Sequence, residues 1–436
     1  MTRTSISSAP PAAPAARRRP APIAPLAVRA YTASSAAGVG RPALLDAIAG
    51  QRSGLCANTD PAWPLATWVG RVAELDAPDA PASVARSAGW PVGLADWQCR
   101  PTRLIWLALQ ADGFAAEVTA ARARWGAHRV GLVLGTSAST IIVSEQAYRQ
   151  LDADGRFPAA LRREALNTPH ALAGFTQRAL GLAGPSLTVS TACSSSAKAF
   201  ASAERWLRLG LVDAVVVAGV DALCASVLYG FRSLGLISDR PCRPFDAARS
   251  GISVGEAAGF ALLERDDGST PASATTATPL RLLGYGESND AHHMSTPHPQ
   301  GLGAELALDD ALARAGLADA AAIDFLNLHG TASQRNDEVE AALVARRYAP
   351  GVHACATKGL TGHTMGAAGM VEAAICLLAL EHGVLAGSPH CDAPDAAFGP
   401  VFAQQLRLAP RHGKVQHAAS HSFGFGGNNC VLLFGT

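Results

Sequence analysis

The chain has 436 residues, of which 49% are hydrophobic and 16% are charged. This balance is typical of a globular protein with a large buried core and excludes a largely disordered chain. The formal net charge is +1, so composition indicates no overall field that would recruit nucleic acid or an anionic membrane. The length predicts two or three domain-sized units.

The nine cysteines are odd in number, widely spaced and without a C-x-x-C pair. This pattern favours neither a disulfide framework nor a zinc site, so we expect no metal and a reducing, cytoplasmic location. Most of these thiols are expected to be inert members of the core.

No segment is expected to span a membrane. The apolar stretch Val371–Leu385 is interrupted by Glu372 and Glu381, which are costly in a lipid core. Residues 1–25 are rich in Ala, Pro and Ser and contain no acidic side chain. Their prolines oppose an amphipathic helix, so we predict a disordered tail rather than a targeting signal.

From Leu26 onward, short aliphatic runs alternate with Ala/Leu-rich stretches, which predicts an α/β fold. Predicted strands are Arg129–Leu134, Ser186–Ser190, Ala214–Ala218, Ile323–His329 and Cys430–Phe434. Predicted helices are Ser195–Leu209, Ala304–Arg314, Asp337–Arg346 and Ala367–Glu381. The polar segment Asp266–Thr278 is predicted to connect an N-terminal half, residues 26–270, with a C-terminal half, residues 279–436.

Cys193 follows the apolar run Leu187–Val189 and precedes a helical pattern that begins near Ser194. A cysteine at a helix N-terminus lies near unpaired N–H groups, which stabilise a thiolate and can form an oxyanion hole. The segment by itself is equally compatible with an ordinary core cysteine in a helix cap.

Two histidines lie next to turn glycines. His329 ends a predicted strand and precedes Gly330, and His363 lies in a glycine-rich loop that leads into a helix. A lone histidine is usually structural, but two in such settings can polarise a carbonyl and carry protons for a nucleophile. Lys358 in the same loop is expected to pair with Glu372 on the following helix.

Near the C-terminus, Ser420–Asn429 contains three glycines and two phenylalanines. Such a loop can bring backbone N–H groups to a ligand while it moves an aromatic ring, although a simple hairpin is the plainer interpretation.

Together these segments resemble the β-ketoacyl-carrier-protein synthases that use one cysteine and two histidines. The resemblance rests on five motifs in order, namely Thr191–Ser195, Arg243–Asp246 with Gly255-Glu256, His329–Thr331 with Asn336-Asp337, Lys358–Gly369 and Phe423–Gly427. It implies a thiolase-like fold, in which two similar α/β halves form alternating helix and sheet layers (αβαβα).

The resemblance also implies roles. Cys193 would accept an acyl chain, and His329 and His363 would bind a malonyl thioester and promote its decarboxylation, with Lys358 and Glu372 as a supporting charge pair. The backbone N–H groups of Cys193 and Phe425 would form the oxyanion hole, and the Phe425 ring would act as a gate. Substrate contacts are implied for Thr331, Ser333, Phe423 and Ala138.

No cofactor is implied, because acyl carrier protein would bring the substrates on its phosphopantetheine arm. The partner would be a second copy or a chain-length-factor-like ketosynthase. The sequences of the motifs are most similar to those of aryl-polyene or xanthomonadin pigment synthases. Ser250 and Asn428 depart from common family residues. The alternatives are a thiolase or Cys-His-Asn synthase, a non-catalytic partner subunit, another acyltransferase of the superfamily, and a cysteine hydrolase.

Overall fold

The structure, a computed structural model, describes residues 19–76, 89–266 and 278–436. Its strands are β1 Leu26–Ser35, β2 Gly38–Val39, β3 Leu55–Ala57, β4 Trp68–Gly70, β5 Val130–Gly135, β6 Ser186–Val189, β7 Ala214–Asp221, β8 Val254–Gly255, β9 Ala257–Arg265, β10 Arg281–Asn289, β11 Phe325–Asn327, β12 His353–Cys355, β13 Val384–Leu385, β14 Arg411–His412, β15 His417–Gly424 and β16 Asn428–Gly435. Its α-helices are α1 Gly40–Ala49, α2 Arg100–Leu109, α3 Phe114–Trp125, α4 Ile141–Tyr148, α5 Ala171–Ala179, α6 Ser195–Arg208, α7 Ala225–Ser233, α8 Leu302–Ala315, α9 Gln334–Arg347, α10 Lys358–Thr361, α11 Ala368–His382 and α12 Gly399–Gln405.

Ten of these strands form one path in which the same arrangement occurs twice. The order is β12-β11-β15-β16-β10 on one side and β1-β9-β7-β5-β6 on the other. Counted inward from the outer strand of each half, β12 or β6, two parallel pairings are followed by two antiparallel ones. The halves join where Leu26 and Ala27 pair with Leu282 and Arg281. The fold is therefore the expected thiolase-like one, with two similar halves.

Helices α6 and α11 form the middle layer, because they share one apolar cluster with strands of both halves. Side chains alternate along a strand, so Val215 and Val217 of β7 face this layer while Val216 and Val220 face the outer helices α2, α3 and α5. Helices α8, α9 and α12 cover the other half. Burial on both faces explains why β7 is almost wholly apolar.

All nine elements predicted from the sequence are present, with shifted ends. Strand β11 pairs over Phe325–Asn327 rather than from Ile323 to His329. The backbone N–H groups of His329 and Gly330 leave the ladder and donate to the Glu340 carboxylate instead. A side chain thus ends the strand at the residue that enters the site.

Of the predicted tail, residues 1–18 lie outside the described residues, and regular structure begins at Leu26 as expected. Residues 267–277, most of the predicted connection between the halves, also lie outside them, so the boundary stays a prediction. The segment Met365–His382 is long and apolar enough to cross a membrane, but it is 89% buried within the protein, as is typical of a core helix. All nine cysteines lie in described ranges, and none forms a disulfide there.

Candidate active site

Cys193 lies in a tight turn between β6 and α6. The preceding residue, Ala192, has a φ of 51°, a left-handed conformation that is uncommon for alanine. Ser195 supports the turn, since its hydroxyl accepts from the amide of Thr191 at 2.9 Å and donates to the Ala192 carbonyl at 2.6 Å. The turn places Cys193 just before the helix, with its side chain at the base of a cavity.

The thiol of Cys193 is not a resting thiolate, contrary to what its place at a helix N-terminus suggested. Burial raises its pKa to about 11, although the Lys358 ammonium and the Phe425 amide oppose the shift. Removal of the thiol from water therefore outweighs the local positive charges. The nucleophile needs a base at the moment of attack.

His363 is placed to act as that base, with its Nε2 3.0 Å from the Cys193 Sγ. Its backbone is held on both sides, donating to Ser253 at 2.7 Å and accepting from Gly255 at 2.9 Å. Burial, followed by the charge of Lys358, lowers the pKa of His363 well below its usual value. A neutral ring can accept a proton at Nε2 or donate one there, depending on its tautomer.

His329 lies beside His363, with the two ring centroids 5.5 Å apart. Its Nδ1 is 3.4 Å from the Lys358 Nζ, which can only donate. Nδ1 is therefore the acceptor, and the proton of the neutral ring lies on Nε2. Burial, then the charge of Lys358, lowers the pKa of His329 and keeps it neutral.

Lys358 and Glu372 form the buried ion pair expected from the sequence. The Lys358 ammonium also donates to the carbonyl of His329, so it forms hydrogen bonds with both the backbone and the ring of that residue. Burial raises the pKa of Glu372 to about 7, while Lys358 lowers it. This pair lies behind the histidines and does not line the cavity.

The loop Phe423–Gly427 closes over Cys193. A Cβ on Gly424 would lie 2.9 Å from the Thr191 carbonyl oxygen and 3.2 Å from the Cys193 nitrogen, so only glycine allows this approach. The Phe425 amide faces the Cys193 sulfur, and the Phe425 ring packs edge-on against Phe231 at 5.8 Å. An N–H group directed at the nucleophile is what an oxyanion hole requires.

A cavity of about 320 Å³ leads to these residues. Thr331 and Ser333 line it and their hydroxyls lie 2.8 Å apart, and the ring of Phe423 lines it beside His329. Ala138 does not line this cavity, and its amide donates to the Asp221 carboxylate at 2.8 Å. Its place in an acyl pocket stays a prediction.

Two buried carboxylates that organise the site were not expected from the sequence. Asp221 accepts from the Thr136 hydroxyl and from the amides of Ser137, Ala138 and Gly366. Glu340 accepts from the two amides at the end of β11. One signal was available for Asp221, a charged residue at the end of an otherwise apolar strand.

One nitrogen of each histidine and the Cys193 sulfur lie within 4.8 Å of one another. Such donors also suit Zn²⁺, but the ammonium of Lys358 beside His329 opposes a second cation there. The absence of a metal stays a prediction.

The fold and this site define a condensing enzyme of the thiolase type, in which a buried cysteine faces two neutral histidines. Two family models match the chain: Beta-ketoacyl synthase, N-terminal domain, over residues 98–268, and Beta-ketoacyl synthase, C-terminal domain, over residues 281–392. The chain belongs to the β-ketoacyl synthase family. It is an acyltransferase that joins two acyl units through a new carbon–carbon bond.

Nodulation protein E of Rhizobium meliloti is 34% identical over 312 residues, 70% of this chain and 75% of that protein. The mitochondrial 3-oxoacyl-[acyl-carrier-protein] synthase of Arabidopsis thaliana is 35% identical over 278 residues, 60% of this chain and 58% of that protein. Among solved structures, a chain of the ketosynthase ApeO in complex with its chain length factor ApeC, from Xenorhabdus doucetiae, is 32% identical with a TM-score of 0.81. The match covers 95% of this chain and 98% of that one.

Proposed function

We propose that this enzyme extends an acyl chain held on Cys193 with a two-carbon unit from malonyl-acyl-carrier protein. The observation that carries the proposal is the 3.0 Å contact between Cys193 Sγ and His363 Nε2 beside a second neutral histidine. In the first step the Cys193 sulfur attacks the acyl thioester and the carrier leaves as a free thiol. The proton of Cys193 passes by way of His363 to that leaving thiol.

In the second step the malonyl thioester loses carbon dioxide, and the electron pair of the broken bond forms an enolate. The Nε2–H of His329 donates to the enolate oxygen, because Nδ1 faces Lys358. His363 donates to the same oxygen when its proton lies on Nε2. Neutral donors in a dry site stabilise the developing charge without a proton transfer in advance.

The enolate carbon then attacks the carbonyl of acyl-Cys193, whose oxygen is stabilised by the amides of Cys193 and Phe425. The carbon–sulfur bond breaks, the Cys193 thiolate takes a proton from water by way of His363, and the β-ketoacyl product stays on the carrier protein. The hydroxyls of Thr331 and Ser333 contact the pantetheine arm, since they line the approach to Cys193. No step needs a resident cofactor.

A second ketosynthase-like chain is the proposed partner. Strand β6 lies at the end of the sheet path and Leu187 within it is 37% exposed, whereas β5 and β7 are fully buried. An exposed edge strand of this kind favours pairing with another chain. The similarity to a solved ketosynthase and chain length factor complex supports a heterodimer, with this chain as the catalytic member because it holds Cys193, His329 and His363. We place the enzyme in the cytoplasm because of its cysteine pattern, and in a pigment-type polyene pathway because its motif sequences are most similar to synthases of that type.

The test is incubation of the purified enzyme with acyl-loaded carrier protein and malonyl carrier protein, with products measured by mass. We expect an acyl adduct on Cys193 and, when malonyl carrier is added, a β-ketoacyl carrier. Cys193→Ala is expected to lose the adduct and the condensation. Cys430→Ala removes another buried thiol, on β16, and it is the matched control. Condensation by Cys193→Ala would overturn the proposal.

A further inference from the structure

A third buried histidine, His421, lies behind the site in β15 and is used by none of the steps above. The side chain is fully buried, and both ring nitrogens have partners. Nδ1 lies 3.0 Å from the Glu340 carboxylate, and Nε2 lies 2.8 Å from the Tyr348 hydroxyl. In either protonation state the ring donates from Nδ1, because a carboxylate only accepts.

The same Glu340 carboxylate holds the turn that carries His329. Its two oxygens accept from the amides of His329 and Gly330, each at 2.8 Å. On the other side, the His421 ring packs 5.0 Å from Phe423, whose ring is 5.9 Å from that of His329. His329 therefore contacts Glu340 and Phe423, and His421 contacts both of these residues in turn.

We propose that His421 is a positioning residue that couples His329 to the strand carrying the Phe423–Gly427 loop, through its hydrogen bond to Glu340. The inference rests on the proposed role of His329 as the donor that promotes decarboxylation. Without the His421 donor, Glu340 loses one of the bonds that fix its orientation, and with it the position of the His329 turn. A displacement of about 1 Å at a reacting group is enough to cost on the order of 100-fold in rate.

Three substitutions separate the positioning role of His421 from its role in packing. Asparagine carries an N–H on its Cγ, as the imidazole does, so His421→Asn keeps a donor close to the place of Nδ1. His421→Leu fills the core but has no donor. Tyr348→Phe removes the hydroxyl that holds the other side of the ring and leaves the packing almost unchanged.

The measurement follows two half-reactions separately, acyl transfer to Cys193 and decarboxylation of malonyl carrier protein, together with thermal unfolding. We expect His421→Leu to lower the kcat of decarboxylation by roughly 10- to 100-fold with acyl transfer within about threefold. His421→Asn is expected to restore most of that loss. Tyr348→Phe is expected to give a smaller loss in the same half-reaction.

His353→Asn is the matched control. His353 is another fully buried histidine, on β12 of the same sheet, with hydrogen bonds to the Ala386 carbonyl and Arg411 but none to a carboxylate. It is expected to lower stability without a selective loss of decarboxylation.

The inference is wrong if His421→Leu lowers both half-reactions equally, as a general loss of folding would, or if it lowers neither. If His421→Leu does not fold, Tyr348→Phe decides by the same criterion. His329→Ala separates the two proposals: unchanged decarboxylation in that variant would overturn the proposed function itself. A selective loss in His329→Ala without one in the His421 variants would overturn only the positioning role.

Discussion

The ammonium of Lys358 donates to Nδ1 of His329 across 3.4 Å, and this contact decides which nitrogen of the ring carries the proton. Because lysine has no acceptor, the N–H of His329 must be at Nε2, on the side away from the lysine. The charge of Lys358 also lowers the pKa of His329, after burial. One residue thus sets both the tautomer and the neutrality of the donor.

Removal of Lys358 should therefore abolish decarboxylation. We expect Lys358→Met to lower its rate on the order of 100-fold or more and to destabilise the fold by about 3–5 kcal/mol, because Glu372 is left buried without its cation. In the double variant Lys358→Met, Glu372→Leu, stability should return while decarboxylation stays lost. Denaturant unfolding and carbon dioxide release measure the two effects. Recovery of both in the double variant would contradict the tautomer argument.

The alkylation of Cys193 should depend on pH in a way that reports its raised pKa. Since burial raises the pKa to about 11 from 9.0, the neutral thiol dominates at neutral pH. We expect the rate with iodoacetamide to keep rising by about tenfold per pH unit up to pH 10, because only the thiolate reacts. Cys193→Ala provides the background from the other thiols. A rate that levels off below pH 9 would show that the turn stabilises the thiolate.

Gly424→Ala should place a methyl group between the Phe423–Gly427 loop and the turn that carries Cys193. The added Cβ would meet the Thr191 carbonyl oxygen at 2.9 Å, so the loop must retreat and withdraw the Phe425 amide. We expect a loss of condensation on the order of 100-fold with a folded protein. Gly413→Ala, where a Cβ meets only the Leu385 side chain at 3.6 Å, is the control and should be near wild type. Equal condensation activity of Gly424→Ala and Gly413→Ala would show that Gly424 does not lie as close to the Cys193 turn as stated.

Asp221→Asn should loosen the segment that follows His363. Asp221 accepts four hydrogen bonds, two on each oxygen, and an amide nitrogen would face two donors instead. We expect a loss of about 1–3 kcal/mol in the free energy of unfolding, with reduced condensation. The control is Asp319→Asn at the exposed N-cap of the short 3-10 helix Ala320–Ala322, where asparagine caps equally well. An unchanged free energy of unfolding in Asp221→Asn would show that the four hydrogen bonds of Asp221 do not stabilise the fold.

The nucleophile and its partners were predictable from five ordered motifs that resemble one family, since the segment around Cys193 alone was equally compatible with a core cysteine. A strand followed by small residues and a helix gives the turn of Cys193, and glycines beside His329 and His363 mark the ends of elements. These features depend on neighbours a few residues away. The helix and strand types followed from side-chain periodicity in the same way, with ends shifted by a few residues.

The pKa of Cys193, the tautomer of His329 and the network of Asp221, Glu340 and His421 depend on residues far apart in the chain. Desolvation is a property of the packed core, so a cysteine at a helix start does not reveal whether burial or local charge controls its pKa. The sequence determined the α/β class from its own pattern, and the chemistry and the αβαβα layering through the family that its motifs resemble. Only the tertiary structure decided the protonation of each group, because hydrogen-bond partners and dielectric surroundings are set when distant segments meet.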